Sequence, residues 1–99
     1  MNDTNRQNVL DTLASENLGR FNWFEERSPR PDEVGILEKA TEFGTGWQVY
    51  STDERAYPQY DRWHEGEPAA LADFLEKVRA TNRFFALRAR RLGSGADVP

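Results

Sequence analysis

Aromatic residues constrain this chain most, because three Trp, three Tyr and six Phe are spread over only 99 residues. The hydrophobic share of 37% and the charged share of 30% would by themselves suit a disordered segment. Disordered segments are poor in large rings, and each ring buries a large apolar area when a chain folds. The sequence therefore predicts one folded domain with a thin, aromatic-rich core.

The first quarter of the chain predicts a helix followed by a strand. Val9, Leu10 and Leu13 fall on one face of a helix over residues 5–18. Alternating aromatic residues in 20–26 then suit a strand with one buried face.

The middle of the chain predicts three more strands. Gly44 and Gly46 supply a hairpin turn, and Pro58 lacks a backbone donor, which places its strand at an edge of the sheet. The three strands cover residues 33–41, 47–52 and 57–64, although the spacing of Leu37 and Ala40 leaves a helical turn open as the alternative within 33–41.

The last third predicts a long helix that starts at Glu67 and ends near Leu92, with an apolar stripe at helical spacing. Residues 1–92 form the predicted domain, and residues 93–99 form a flexible tail. The expected fold is α+β in the order α-β-β-β-β-α. Its small antiparallel meander sheet of about four strands carries both helices on one face.

The net charge of −4 conceals two halves of opposite sign. Residues 1–76 hold sixteen of the seventeen acids and seven of the thirteen bases, which gives −9. Residues 77–99 hold six bases and one acid, which gives +5. The acidic body favours a basic protein partner and makes nucleic acid an unfavourable one.

Catalytic and metal-binding patterns are weak in this sequence. There is no cysteine and a single histidine, His64, so neither a thiol nucleophile nor a cysteine or histidine zinc cluster is expected. His64 with Asp61 and Glu65 could hold a metal weakly, but an ordinary histidine at a strand end is favoured. We expect no catalytic residue, no cofactor and no metal. The lack of cysteine and of a long apolar run predicts a cytoplasmic protein without a membrane segment.

Two acidic pairs leave alternatives open. Glu25-Glu26 and Asp53-Glu54 could supply an acid and a base for hydrolysis, or could be solvated turns. Asp53-Glu54 has a third interpretation, as an exposed acidic hairpin tip that meets a basic partner.

The arginine-rich end of the last helix also has two interpretations. Its bases could grip nucleic acid, with Phe84 or Phe85 stacking on bases. They could equally form a solvated helix end that complements the helix dipole.

A run of short motifs in the second half resembles a known family. The motifs are residues 46–50 (Gly-Trp-Gln-Val-Tyr), 53–55 (Asp-Glu-Arg), Trp63, and 66–70 (Gly-Glu-Pro-Ala-Ala) leading to Phe74-Leu75. Together they resemble small immunity proteins of bacterial polymorphic toxin systems. The pattern has Arg-Gly where this chain has Arg55-Ala56. The resemblance implies a cytosolic inhibitor that occludes the active site or an essential surface of a cognate toxin domain.

The sequence thus predicts a non-enzymatic protein that binds a basic toxin domain. The alternative is a small nucleic-acid-binding or regulatory domain that uses the arginine-rich helix. Acidic side chains would steer the partner and exposed rings would anchor it. The predicted partner-binding residues are Glu25, Glu26, Asp53, Glu54, Tyr57, Tyr60, Asp61 and Trp63. The oligomeric state is left open.

Overall fold

The computed structural model describes residues 2–97, with side chains described for residues 4–91. It confirms the predicted α+β fold and its α-β-β-β-β-α order. The elements are α1 (Asn2–Ser15), β1 (Phe21–Trp23), β2 (Val34–Thr41), β3 (Gly44–Thr52), β4 (Pro58–His64) and α2 (Glu67–Asp97).

The four strands form one sheet in the order β1-β2-β3-β4. β2–β3 and β3–β4 are antiparallel, as predicted, but β1 is parallel to β2, so the sheet is mixed and the expectation of a purely antiparallel sheet is wrong there. The cause is the segment 24–33, which is too long for a tight hairpin. It carries the chain back along β1, so that β2 begins beside the first residue of β1 and runs in the same direction. Hydrogen bonds from the Phe24 amide to the Ile36 carbonyl and from the Val34 amide to the Arg20 carbonyl close the parallel pair.

The core lies between one face of the sheet and the two helices. Val34, Ile36 and Val49 point to this face and are fully buried. Phe74 of α2 is fully buried and meets Phe21 edge-on, with ring centroids 6.2 Å apart. The remaining buried members of the same cluster are Val9, Leu13, Ala70, Leu71 and Val78.

The Asn82 side chain joins the two helices, because its amide bonds to the backbone as another peptide group would. The Asn82 amide accepts a hydrogen bond from the Gly19 N–H at 2.9 Å and donates one to the Gly19 carbonyl at 2.8 Å. Nearby, Arg79 pairs with Glu16 through two hydrogen bonds of 2.9 and 2.5 Å. Because these contacts lie on one flank of α2, they fix α1 along that flank.

Within residues 2–97, no helix packs on the opposite face of the sheet, here called the outer face. Strand alternation turns Gly35 and Leu37 away from Ile36 and therefore away from the core. The Tyr50 ring lies over Gly35, where an added Cβ would come within 2.1 Å of it. The Trp63 ring lies over Gly46 in the same way, and a Cβ added to Gly46 would come within 1.8 Å of that ring. Two rings therefore lie flat on this face because glycine leaves room beneath them.

The last helix extends well beyond the sheet. Its 31 residues span about 46 Å, and the whole molecule measures 60 × 28 × 18 Å. The last fully buried side chain of α2 is Val78, and every described side chain from Ala86 to Arg91 is exposed. We call residues 79–91 the overhang. The helix runs to Asp97, five residues past its predicted end near Leu92. Side chains after Arg91 and residues 98–99 lie outside the described residues, so flexibility of the predicted tail stays a prediction.

Candidate partner-binding surfaces

A buried polar network holds the segment 24–33 against one end of the outer face. The Tyr50 hydroxyl donates to Glu33 at 2.8 Å and accepts from the Asn22 amide at 2.9 Å. Asn22 also bonds the backbone of Glu25 in both directions. Burial raises the pKa of Tyr50 to about 12, and the bond to Glu33 adds to the effect. The network keeps Tyr50 neutral and fixed in place.

Glu33 is the anionic centre of this network. Its carboxylate, only 4% exposed, receives Arg27 at 2.6 Å and the Arg30 backbone N–H at 3.2 Å. Burial alone would raise the pKa of Glu33, but Arg27, the Arg30 N–H and the Tyr50 hydroxyl outweigh burial and lower the pKa. The same contact with Glu33 raises the pKa of Arg27. The pair stays charged and ties the segment to the sheet.

The predicted acids Glu25 and Glu26 are exposed on that segment and point to different partners. Glu25 pairs with Arg27 at 3.1 Å. Glu26 pairs with Lys39 at 3.3 Å, and Lys39 lies on the outer face of β2. Glu26 therefore borders the outer face, whereas Glu25 belongs to the surface of the segment itself.

Asp53 caps the turn between β3 and β4. Its Oδ1 accepts hydrogen bonds from the backbone N–H groups of Arg55 at 2.8 Å and Tyr57 at 2.9 Å. Ala56 has a positive φ of 66°, a backbone conformation that favours glycine. Glu54 is exposed, and Tyr57 is 61% exposed. Asp53, Glu54 and Tyr57 therefore form an acidic hairpin tip with one exposed ring. Within this tip, the Asp53 carboxylate is already hydrogen-bonded to the backbone of the turn.

Asp61 and Trp63 lie on the outer face of β4, which forms one edge of the sheet. Trp63 is 46% exposed, and its backbone pairs with Gln48, which in turn pairs with the buried Leu37. Asp61 accepts a hydrogen bond from the Gln48 amide at 3.0 Å. Lys39 pairs with Gly46, over which the Trp63 ring lies. The structure therefore brings together what we call the outer patch, which comprises Glu26, Lys39, Gln48, Asp61 and Trp63.

Tyr60 has a different environment from the other predicted rings. It points to the helix side of β4, where its hydroxyl donates to Asp73 at 2.7 Å. Asp73 also bonds His64 Nε2 at 2.8 Å, and the Lys77 ammonium lies 4.5 Å from the centre of the Tyr60 ring. Tyr60 is half-buried rather than an exposed anchor, so it serves the packing of α2 on the sheet.

Asp73 is the charged centre of that cluster. Burial by itself would raise the pKa of Asp73, but the hydrogen bonds from His64 and Tyr60 and the charge of Lys77 lower it. Burial and the bond to Asp73 raise the pKa of Tyr60. The cluster holds a stable carboxylate between β4 and α2.

A third polar cluster fixes the start of α2. Glu67 is only 2% exposed and forms an ion pair with Arg6, which also reaches Glu38 at 2.7 Å. The Arg6 guanidinium stacks on Phe24, 4.2 Å from the ring centre. Contact with Glu67 raises the pKa of Arg6. Among the described residues, Glu67 Oε2 and Trp47 Nε1 are buried without a hydrogen-bond partner.

The overhang presents a second surface. Phe84 is 57% exposed and Leu87 is 49% exposed, and they line a groove of about 340 Å³ with Arg88 and Arg91. Phe85 is half-buried because the Arg20 guanidinium stacks on it at 3.9 Å. The exposed ring of the pair is therefore Phe84.

The sequence predicted three of the outer patch residues, Glu26, Asp61 and Trp63, but missed Gln48 and Lys39. Period-two alternation on β2 and β3 places those two on the same face, and a firm strand register would have found them. Exposure of Leu87 also had a signal, because Leu87 lies outside the inward stripe of α2 that runs through Phe74, Val78 and Phe85.

Among the side chains of residues 4–91, no group of three or more His, Asp or Glu lies close enough together to hold a metal ion. None of the helices within residues 2–97 is both long and apolar enough to cross a bilayer.

Comparison with known proteins gave no relative: no family model, no curated protein and no solved structure matches the chain.

Proposed function

We propose that this chain is an immunity protein that binds a basic toxin domain through the outer patch and neutralises it by occlusion. The observation that carries the proposal is the part of the outer face that the segment 24–33 leaves open, on which a half-exposed Trp63 lies over Gly46 with Asp61 and Glu26 nearby. The proposal assigns the chain no catalytic step.

Trp63 suits the role of a binding anchor. Interface energy concentrates in a few large side chains, and Trp is the most enriched among them. A ring already held on its glycine loses little conformational freedom when a partner covers it. Trp63 would therefore supply affinity by burying its exposed half.

Charge would supply steering and specificity. The body formed by residues 1–76 carries −9, which attracts a basic partner over a Debye length of about 8–10 Å at physiological salt. Asp61 and Glu26 place carboxylates beside the anchor, and Glu54 extends the acidic surface toward the turn after β3. A toxin domain that acts on nucleic acid would present the matching basic surface.

The test is affinity capture from the native host at moderate salt with tagged wild-type protein and two outer patch variants, Trp63→Ala and Asp61→Lys. We expect the wild type to recover one stoichiometric toxin domain and Trp63→Ala to lose affinity by at least tenfold. Phe43→Ala and Glu42→Lys are matched controls, because both residues are exposed at the β2–β3 turn and neither belongs to the outer patch.

A functional readout must accompany capture. The recovered domain should be toxic when produced alone and harmless when co-produced with the wild type. Capture of nothing specific would overturn the proposal. Undiminished protection by both patch variants would remove the outer patch from the interface.

The nucleic-acid alternative has one supporting observation. Arg83, Arg88, Arg90 and Arg91 are exposed on the overhang beside the exposed Phe84. The acidic body opposes this binding because phosphates are repelled by it. Recovery of nucleic acid in the same capture, with affinity that falls steeply as salt rises, would favour this function instead.

A further inference from the structure

The overhang carries an uncovered stripe on the flank of α2 that faces away from α1, formed by Ala80, Phe84, Leu87 and Arg91. Asp73 and Lys77, which β4 partly covers, continue the line toward the sheet, and the six residues follow the spacing 4-3-4-3-4 typical of a helix seam. Phe84 joins two cavities along it, the groove of about 340 Å³ described above and one of about 290 Å³ that reaches Asp32 and Thr52 at the end of the sheet. The stripe thus runs off the sheet without a break.

One flank of α2 is occupied and the other is open. Asn82 and Arg79 hold α1 on the first flank. On the stripe side, Tyr60 and His64 of β4 reach Asp73 and Lys77 but no described residue further along α2, and Arg62 on the same side of β4 is exposed. The flank of α2 from Ala80 onward is therefore open.

The molecule also has more surface than a compact monomer of its size. Its accessible surface is 6869 Å², whereas a folded monomer of 11.4 kDa has about 5,800 Å². Its radius of gyration is 15.4 Å, against about 12.6 Å for a compact domain of this length. The excess of about 1,100 Å² is comparable with the roughly 800 Å² that each partner buries in a standard interface.

Charge and side-chain size indicate what covers the stripe. The exposed acid at the start of α2 is Glu76, since Glu67 and Asp73 are held by Arg6 and by Tyr60 and His64, whereas the overhang is basic (Arg83, Arg88, Arg90, Arg91). A second α2 running antiparallel would put each basic overhang beside the half of the partner helix that holds Glu76, whereas parallel pairing would stack arginines on arginines.

We propose that a second copy of this chain covers the stripe, with its α2 antiparallel and the two-fold axis on the open flank at the height of residue 82. In that register Phe84 of each copy packs over Ala80 of the other, a large side chain against a small one. Leu87 meets the aliphatic stem of Lys77, and Arg91 approaches the acidic start of the partner helix. Both contacts occur twice because the interface is isologous.

The dimer is independent of the proposed function. The outer patch lies on the opposite face of the sheet from α2, so both surfaces can be occupied at once. Loss of one interaction leaves the other measurable.

Sedimentation equilibrium of the untagged chain over a range of concentrations tests the proposal. We expect the wild type to reach twice 11.4 kDa in the micromolar range and Phe84→Asp and Leu87→Asp to stay at 11.4 kDa. Phe43→Asp is the matched control, because Phe43 is 92% exposed at the β2–β3 turn, and it should dimerise like the wild type. Circular dichroism verifies that each variant is folded.

Cysteine cross-linking tests the register, because the chain has no cysteine of its own. With the two-fold axis at the height of residue 82, the two copies of residue 80 lie about 6 Å apart along the helix and the two copies of residue 91 lie about 27 Å apart. Ala80→Cys should cross-link on oxidation and Arg91→Cys should not.

Either of two results would overturn the proposal: a wild type that stays monomeric, or a dimer that Phe84→Asp leaves intact. Cross-linking through Arg91→Cys alone would refute the antiparallel arrangement. A monomer that binds single-stranded nucleic acid through the overhang would give that surface to the alternative function.

Discussion

Gly35, Gly46 and Gly19 have three different environments, and the difference can be measured. Gly35 lies under Tyr50, whose hydroxyl is held between Asn22 and Glu33, so an added methyl group has no space to enter. Gly46 lies under Trp63, which is half-exposed and can swing outward. Gly19 has nothing within 4 Å of an added Cβ.

We expect Gly35→Ala to lower the free energy of unfolding by about 3 kcal/mol and Gly46→Ala by about 1–2 kcal/mol, since overpacking costs more where the neighbour cannot move. Gly19→Ala, the control, should change it by less than about 1 kcal/mol. Urea unfolding measures all three, and quenching of Trp fluorescence reports displacement of Trp63. Equal losses at positions 35 and 46 would contradict this account.

Glu33 makes stability depend on pH with a defined sign. Its pKa is lowered in the folded protein relative to the ordinary value of 4.5, so its contribution is present above pH 4.5 and is lost as pH falls through the folded pKa. We expect the free energy of unfolding to fall below about pH 4.5, and to fall less steeply in Glu33→Gln. Asp73 acts in the same direction, so the variant should keep part of the slope. Urea unfolding between pH 3 and 7 tests this, and identical slopes in the two proteins would exclude Glu33 as a source.

Among the secondary-structure elements, the junction between α1 and α2 depends on Asn82. An asparagine in the inward stripe of a helix is unusual unless its amide is satisfied, and here it bonds both backbone groups of Gly19. The NH₂ group also donates to the Val78 carbonyl at 2.8 Å.

Asn82→Asp keeps the shape but removes both donated hydrogen bonds. We expect the free energy of unfolding to fall by about 1–3 kcal/mol, because the Gly19 carbonyl loses its partner beside a carboxylate. Asn8→Asp, on the exposed side of α1, is the matched control and should have little effect. Hydrogen exchange should show α1 loosening before the sheet; uniform loss of protection would mean that Asn82 does not act through α1.

The β1–β2 pair shows what an element needs from the rest of the chain. Strand propensity in residues 21–23 and 34–41 was readable, but direction was not, because it depends on the path of the segment 24–33. That path is fixed by Asn22 of β1, Tyr50 of β3 and Glu33 of the segment itself, which meet only after folding. A pattern of single residues cannot encode such a meeting.

At the scale of the whole molecule, the separation of acidic and basic residues coincides with the extension of α2 beyond the sheet. The acidic body holds the core, and the basic overhang leaves it at one end of a molecule 60 Å long. The outer patch and the overhang stripe are thus two separate surfaces of opposite character, and the two proposals above assign one partner to each.

The sequence by itself determined the element order, the apolar stripe of α2, the separation of charge and the exposed positions of Asp61 and Trp63, because these follow from local spacing and composition. The tertiary structure alone decided the parallel β1–β2 pair, the half-buried state of Tyr60, the structural use of Asp53 and the open flank of α2. Each of these depends on which distant groups meet: Tyr60 finds Asp73 across the sheet and helix, and Asp53 finds the backbone of its own turn. Local pattern sets which face a side chain takes, and long-range packing sets what that face meets.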